Sequence, residues 1–308
     1  MTDKRATQVS ATAAFHPLGV AAVCIGVVLW SASTVIVKSS DVSGVVFATC
    51  RLWVGFPALL LLATITGRRV TKELWRASIL PGVLFAANIA LFFEALRRSS
   101  VANVTLITSI EPALVFLVAR RMFHERITAW DIGWTAASLG GIVLVVVGAA
   151  GRPGWHPIGD LLAVIAIFVW TVFFLASKRI RTRAGTLEYF TAVLGVAAVS
   201  LTPVMFIARG SFTDPSARDW LLIVIVALGP GTAGHLFVTW AHRHVDVSLS
   251  SVIGVGQPVI AAAGAAIFLD ERIGILQFIG GLLTIVSVVA FVSRRRLPDE
   301  NVVPEGAP

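Results

Sequence analysis

Glu111 stands in a run otherwise free of charge, VANVTLITSIEPALVFLVA, from Val101 to Ala119. A carboxyl group there can take up and release a proton, or hold the amine of a passing solute. His235, within WLLIVIVALGPGTAGHLFVTW, is a second group able to carry protons near neutral pH. Gly231, His235, Thr239 and His242 follow at helical spacing and predict one stripe of a helix. Asn88, Gln257 and Arg51 interrupt other apolar runs. Trp30 and Trp170 offer aromatic faces suited to amphipathic or cationic groups. Pro112 and Pro258 each delete a helical hydrogen bond, which frees the carbonyls of Thr108 and Gly254. Lys38, Arg51 and Glu94 fall toward the ends of their runs and could form a vestibule. Each residue also has a structural alternative: a neutral acid bonded between helices, a packing kink, a snorkelling lysine or an interfacial anchor. The segment HRHVD at 242–246 invites a metal, but no further ligand sits at a suitable spacing, so none is expected.

The elements that position these groups follow from composition. The 308 residues are 56% hydrophobic and only 14% charged, and mean hydropathy is +0.86. A soluble surface needs more charge than that. Ten stretches are long enough to cross a bilayer core, which takes about 20 residues. They are Leu18–Lys38, Val46–Ile65, Ser78–Ala95, Val101–Ala119, Ile132–Gly148, Ile158–Ala176, Thr191–Ile207, Trp220–Trp240, Val247–Leu269 and Ile275–Val292. The expectation is an all-α integral membrane protein in a cell membrane. With the N-terminus placed in the cytoplasm, seventeen of the 25 Lys and Arg residues fall on the cytoplasmic side, which predicts both termini inside. This loop bias also accounts for the net charge of +8 without nucleic acid as a partner. The two cysteines, Cys24 and Cys50, both lie in apolar runs and predict no disulfide.

The halves of the chain echo each other. Trp30 and Lys38 return 140 positions later as Trp170 and Lys178. Ala95, Arg97, Pro112, Glu125 and Arg126 return 146 positions later as Ala241, Arg243, Pro258, Glu271 and Arg272. Five spans per half is an odd number, so the second half must enter the membrane in the opposite sense. The organisation expected is a tail (1–17), a first repeat (18–150), a second (155–293) and a tail (294–308). Such inverted repeats are typical of secondary transporters.

On these residues the chain resembles the drug/metabolite transporter superfamily, in its EamA-type branch with two five-helix repeats. The pieces that carry the resemblance are VLWSASTVIVKSS and FVWTVFFLASKRI, together with IEPALVFLVARRMFHERI and GQPVIAAAGAAIFLDERI. Arg51 resembles the basic residue often seen early in the second span. The pattern departs in one place: Glu111–Pro112 in the first repeat faces Gln257–Pro258 in the second. The resemblance implies export of small amphipathic metabolites such as amino acids, or of toxic compounds.

No GxxxxGK[ST] loop is present, so ATP hydrolysis by this chain is not expected, and HExxH, GxSxG and haem or iron–sulfur patterns are absent too. No cofactor is expected. The leading expectation is a secondary transporter whose partners are a small-molecule substrate, protons and the lipid bilayer, with a homodimer left open. Its site residues would be Glu111, His235, Trp30, Arg51, Asn88, Glu94, Trp170 and Gln257, with helix breaks at Pro112 and Pro258. A membrane-embedded enzyme acting on a lipid-linked substrate and a passive facilitator are the alternatives.

Overall fold

The protein is described from a computed structural model, covering residues 16–99, 101–108, 111, 128–149, 156–181, 184–208, 214–242, 244–245, 247–268 and 274–294. Pro112 and the loop pairs Glu125–Arg126 and Glu271–Arg272 lie outside these residues.

The described residues form helices and connecting turns. The helices are α1 (Pro17–Lys38), α2 (Gly44–Ile65), α3 (Lys72–Ala77), α4 (Ile79–Arg98) and α5 (Val101–Thr108). Next come α6 (Ala129–Ala149), α7 (Pro157–Arg181), α8 (Thr186–Ala208) and α9 (Ala217–Leu228). A wide π-type turn, Gly229–Gly234, joins α9 to α10 (His235–Ala241). The chain then forms α11 (Val247–Gly254), α12 (Gln257–Phe268) and α13 (Ile275–Arg294).

Six segments are long and apolar enough to span a bilayer: Pro17–Lys38, Gly44–Ile65, Ile79–Arg98, Pro157–Ser177, Thr186–Ile207 and Ala217–Ala241. Val252–Gly264 and Phe278–Ala290 are shorter apolar helices. Large apolar side chains also cover the outside, Ile207 at 86% and Ile275 at 81% exposure among them. An apolar exterior is costly in water and natural in lipid. The chain is a multi-pass membrane protein.

Local chemistry sets the helix boundaries. Ser43 caps α2 by accepting the Val46 N–H. Ser216 and Asp219 form a reciprocal capping box at the start of α9. Two stretches expected as continuous spans are interrupted. The run Val247–Leu269 splits into α11 and α12 at Val255–Gly256. Pro258 supplies no N–H there, and Gly254 and Gly256 are poor helix formers. In Trp220–Trp240 the GPGTAG segment widens the helix by one turn of π geometry. Helix α3 is too short and polar to register as an apolar run.

Helix α6 lies along α13, α4 along α7 and α8, and α2 along α8, while α1 packs on α10, the π turn and α12. The larger core cluster joins α2, α4, α7 and α8 through residues such as Phe47, Phe85, Leu96 and Phe190. A second cluster joins α1, α10 and α11 through Val23, Val27, Ala241 and Leu249. A cavity lies where these two groups of helices meet.

Candidate functional site

The cavity encloses about 120 Å³, roughly ten times what one water needs on the same measure. Its lining draws on α1 (Trp30, Ser33), α2 (Arg51), α4 (Asn88, Ile89, Phe92, Phe93) and α5 (Thr105, Thr108) with Glu111 just beyond it. The other side comes from α7 (Ile167, Trp170), α10 (His235) and the α11–α12 break (Gly254, Val255, Gln257, Pro258).

Eight residues singled out from the sequence therefore meet around one space: Trp30, Arg51, Asn88, Glu111, Trp170, His235, Gln257 and Pro258. Glu94 is not among them. Its Oε2 accepts the Gly44 N–H at 3.1 Å, and its Oε1 accepts from Arg98 Nε at 2.7 Å. Lys38 is also apart, donating through Nζ to the carbonyls of Leu96 (2.8 Å) and Ser99 (2.9 Å). Lys38, Arg51 and Glu94 thus form no common vestibule.

The aromatic wall is continuous. Trp30 and Trp170 meet edge to face, 6.2 Å between centroids. The His235 ring lies 4.9 Å from Trp30, 5.1 Å from Phe85, 5.4 Å from Phe190 and 6.1 Å from Trp170. Offset and T-shaped contacts of this kind hold rings in fixed positions. The π turn alters the register expected for His235. Gly231 lies against Arg51, while His242, two turns on, packs its ring edge to face on Phe174 at 5.0 Å.

Polar groups are set into this wall. Asn88 donates through Nδ2 to the Ala166 carbonyl at 2.9 Å and so ties α4 to α7. Ser31 donates to the Val27 carbonyl at 2.8 Å and to the Gln257 carbonyl at 3.1 Å, which fixes the start of α12 to α1. Pro258 leaves the Gly254 carbonyl without its usual donor, and both residues face the cavity. The Glu111 carboxyl lies beside the Trp170 indole. Trp170 Nε1 and Trp30 Nε1 are buried without a well-formed hydrogen bond. Arg51 sits with its guanidinium 5.3 Å from the Phe93 ring centroid.

Sequence reasoning missed Ser33, Phe92, Phe93 and Thr105, and singled out Thr108 only for its carbonyl. A signal existed for both threonines: Thr105, Thr108 and Glu111 recur every three residues, a spacing that favours one helix face. The whole arrangement can hold a small solute between flat rings, with a cation and an acid on its walls. The charged groups border one shared space at the middle of apolar helices, where ionisable residues commonly serve transport.

A bundle of apolar helices around a cavity that gathers charged and polar side chains suits a membrane transporter, and the known proteins agree. The model of the EamA-like transporter family matches residues 17–147 and 157–293. The chain belongs to that family, and it is a transporter rather than an enzyme. It is 27% identical, over 65% of its length and 70% of the relative's, to the aromatic amino acid exporter YddG of Ancylobacter novellus. It is 24% identical to the pseudopaline exporter CntI of Pseudomonas aeruginosa, over 77% of this chain and 82% of that one. A probable amino-acid metabolite efflux pump of Escherichia coli is 23% identical over 83% of this chain and 89% of its own. One solved crystal structure shares the fold with a TM-score of 0.77 at 20% identity, covering 90% of this chain and 97% of that chain.

Proposed function

We propose that this protein is a secondary exporter of small amphipathic metabolites, amino acids foremost, working by alternating access in the cell membrane. The observation that carries this reading is the cavity itself, with Arg51, Glu111, Trp30, Trp170 and His235 gathered in the middle of an otherwise apolar bundle. The relatives named as exporters of amino acids and related metabolites support the substrate class. The sequence count, which assigns seventeen of the 25 basic residues to the cytoplasmic side of the expected spans, supports an orientation with both termini in the cytoplasm.

The two halves act as inverted repeats of five spans, and equivalent residues in the described part support this. His16 and His156, 140 positions apart, each cap a helix by accepting through Nδ1 the N–H three residues on, Gly19 at 3.3 Å and Gly159 at 3.4 Å. Gly19 lies against Val245 and Gly159 against Ser99, and Ser99 and Val245 are themselves 146 positions apart. Trp30 meets Trp170, and Thr284 reaches the carbonyl of its counterpart Ser138 at 3.4 Å. Residues paired in this way sit about a pseudo-two-fold axis, so the cavity belongs to both halves. Rocking of one half on the other exposes it to each side in turn.

Glu111 is the coupling residue in this reading. Its counterpart is Gln257, which cannot ionise, so one acid serves the pair of repeats. His235, packed among four rings, belongs to the wall. Protein reconstituted in liposomes and preloaded with L-phenylalanine tests both points. Saturable efflux that a pH gradient accelerates is the expected result. Glu111→Gln is expected to keep exchange of L-phenylalanine but lose the gradient effect by about tenfold. Undiminished gradient-driven efflux in that variant removes Glu111 from coupling. Flux that never saturates and shows no counterflow favours a facilitator.

A further inference from the structure

Arg51 is the cation of this cavity that has no anion of its own. It is 4% exposed, deep in α2, and lines the cavity wall. Its Nη2 is buried without a hydrogen-bond partner. No ion pair joins it to an acid among the described residues. Glu94, on the neighbouring α4, is already bound to the Gly44 N–H and to Arg98. Glu111 shares the cavity but makes no ion pair with Arg51.

Local structure holds the guanidinium where it is. The Phe93 ring lies 5.3 Å from it. Gly231, in the π turn, presents bare backbone on another side: a Cβ there would stand 3.1 Å from Nε, 3.2 Å from Cζ and 2.7 Å from the Val226 carbonyl. The missing side chain and the widened turn make the slot for the guanidinium. An ionised group taken out of water without a partner is costly. A rigid planar fork beside a cavity is suited to a carboxylate, which accepts two parallel N–H bonds from it.

We propose that Arg51, seated by Gly231 and Phe93, is the anchor for a carboxylate on the transported molecule and the residue that makes this carboxylate obligatory. This rests on the transporter reading above and assigns the orientation of the cargo. The carboxylate lies at Arg51, the apolar part lies along Trp30 and Trp170, and an amine lies toward Glu111. Molecules that keep the ring and amine but lack the carboxylate are excluded, because they would leave the buried guanidinium without an anion.

Three probes of nearly equal size separate these groups: L-phenylalanine, 3-phenylpropionate (no amine) and phenethylamine (no carboxylate). Binding is measured on the purified full chain in lipid nanodiscs, and counterflow in liposomes. Wild type is expected to bind both carboxylates at least about tenfold more tightly than phenethylamine. Arg51→Gln is expected to abolish that preference. Arg51→Lys, which keeps the charge but not the fork, is expected to retain the order of the three probes with weaker binding. Phenethylamine bound as tightly as L-phenylalanine by wild type, an unchanged preference in Arg51→Gln, or no carboxylate bound at all would overturn the assignment. Saturable counterflow of phenethylamine that survives Arg51→Gln would leave the transporter reading standing and sink only the anchor.

Discussion

The two ends of the bundle are held together by different chemistry. At the end where α1 finishes, polar bonds cross between five helices. Asp219 at the start of α9 accepts from Ser40 Oγ (2.8 Å) and from the Asp41 N–H (3.1 Å), pinning the α1–α2 turn. Ser99 donates to Asp160 on α7 at 2.6 Å, Glu94 holds the start of α2, and Arg97 donates to the Ser40 carbonyl. At the end where α1 starts, rings and methyl groups do the same task. His16 stacks near His244 at 5.1 Å, His244 lies 4.3 Å from Trp240, and Val245 packs on Gly19. The ion pair Arg68–Glu188 lies there too, with Arg68 half-exposed, a setting in which such pairs contribute little.

The difference teaches which contacts are directional. Charge-assisted bonds at the α1–α2 turn specify one geometry and break together when that geometry is lost. Ring and methyl contacts tolerate sliding, so the other end can loosen by degrees. An alternating-access cycle needs one closure to break as the other forms, and under the proposed function the polar end would supply the discrete closure.

Asp219→Ala attacks that contrast most directly. Asp219 is 2% exposed and also accepts from Ser216 Oγ at 2.7 Å. Removing a buried carboxylate with several donors is expected to cost about 3 kcal/mol. The apparent melting temperature of the detergent-solubilised protein should fall by about 5 °C. Cysteine labelling near Ser40 should rise at the same time. A melting curve within about 1 °C of wild type, with labelling unchanged, would deny the polar end its special role. The matching change at the ring-lined end is His244→Ala. It removes the contacts with Trp240 and His16 and the bond from Nδ1 to the Trp240 carbonyl at 3.1 Å. The expected cost is about 1 kcal/mol, read from the same melting curves. A loss as large as that of Asp219→Ala would erase the asymmetry between the ends.

Much of the site is legible in the amino-acid order alone, for physical reasons. In lipid a polar residue is conspicuous because it must be satisfied or used. Glu111, Arg51, Asn88, His235 and Gln257 stand out on that ground, and all five line the cavity. Pro258 and its flanking glycines announce the break between α11 and α12. The π turn is less legible. GPGTAG marks it, but a strict 3.6-residue period carries Gly231 and His235 onto one stripe and hides the contact of Gly231 with Arg51. Glu94 is misplaced by local pattern for a different reason: its partners, the Gly44 N–H and Arg98, are settled by how close α2 comes to α4. The closeness depends on Gly44 resting against the backbone of Phe93 and Glu94. The bonds to Asp219 connect positions 178 and 179 residues apart, beyond any local pattern.

The account stands on the cavity opening to one end at a time, and a reversible lock on the polar end tests this most directly. Cys24 and Cys50 would first be replaced, and Ser40→Cys with Asp219→Cys introduced to join the α1–α2 turn to α9. Oxidation to the disulfide should abolish counterflow of L-phenylalanine in liposomes, leave its binding from the opposite end intact, and be undone by dithiothreitol. Undiminished counterflow with the disulfide fully formed would contradict alternating access through this cavity.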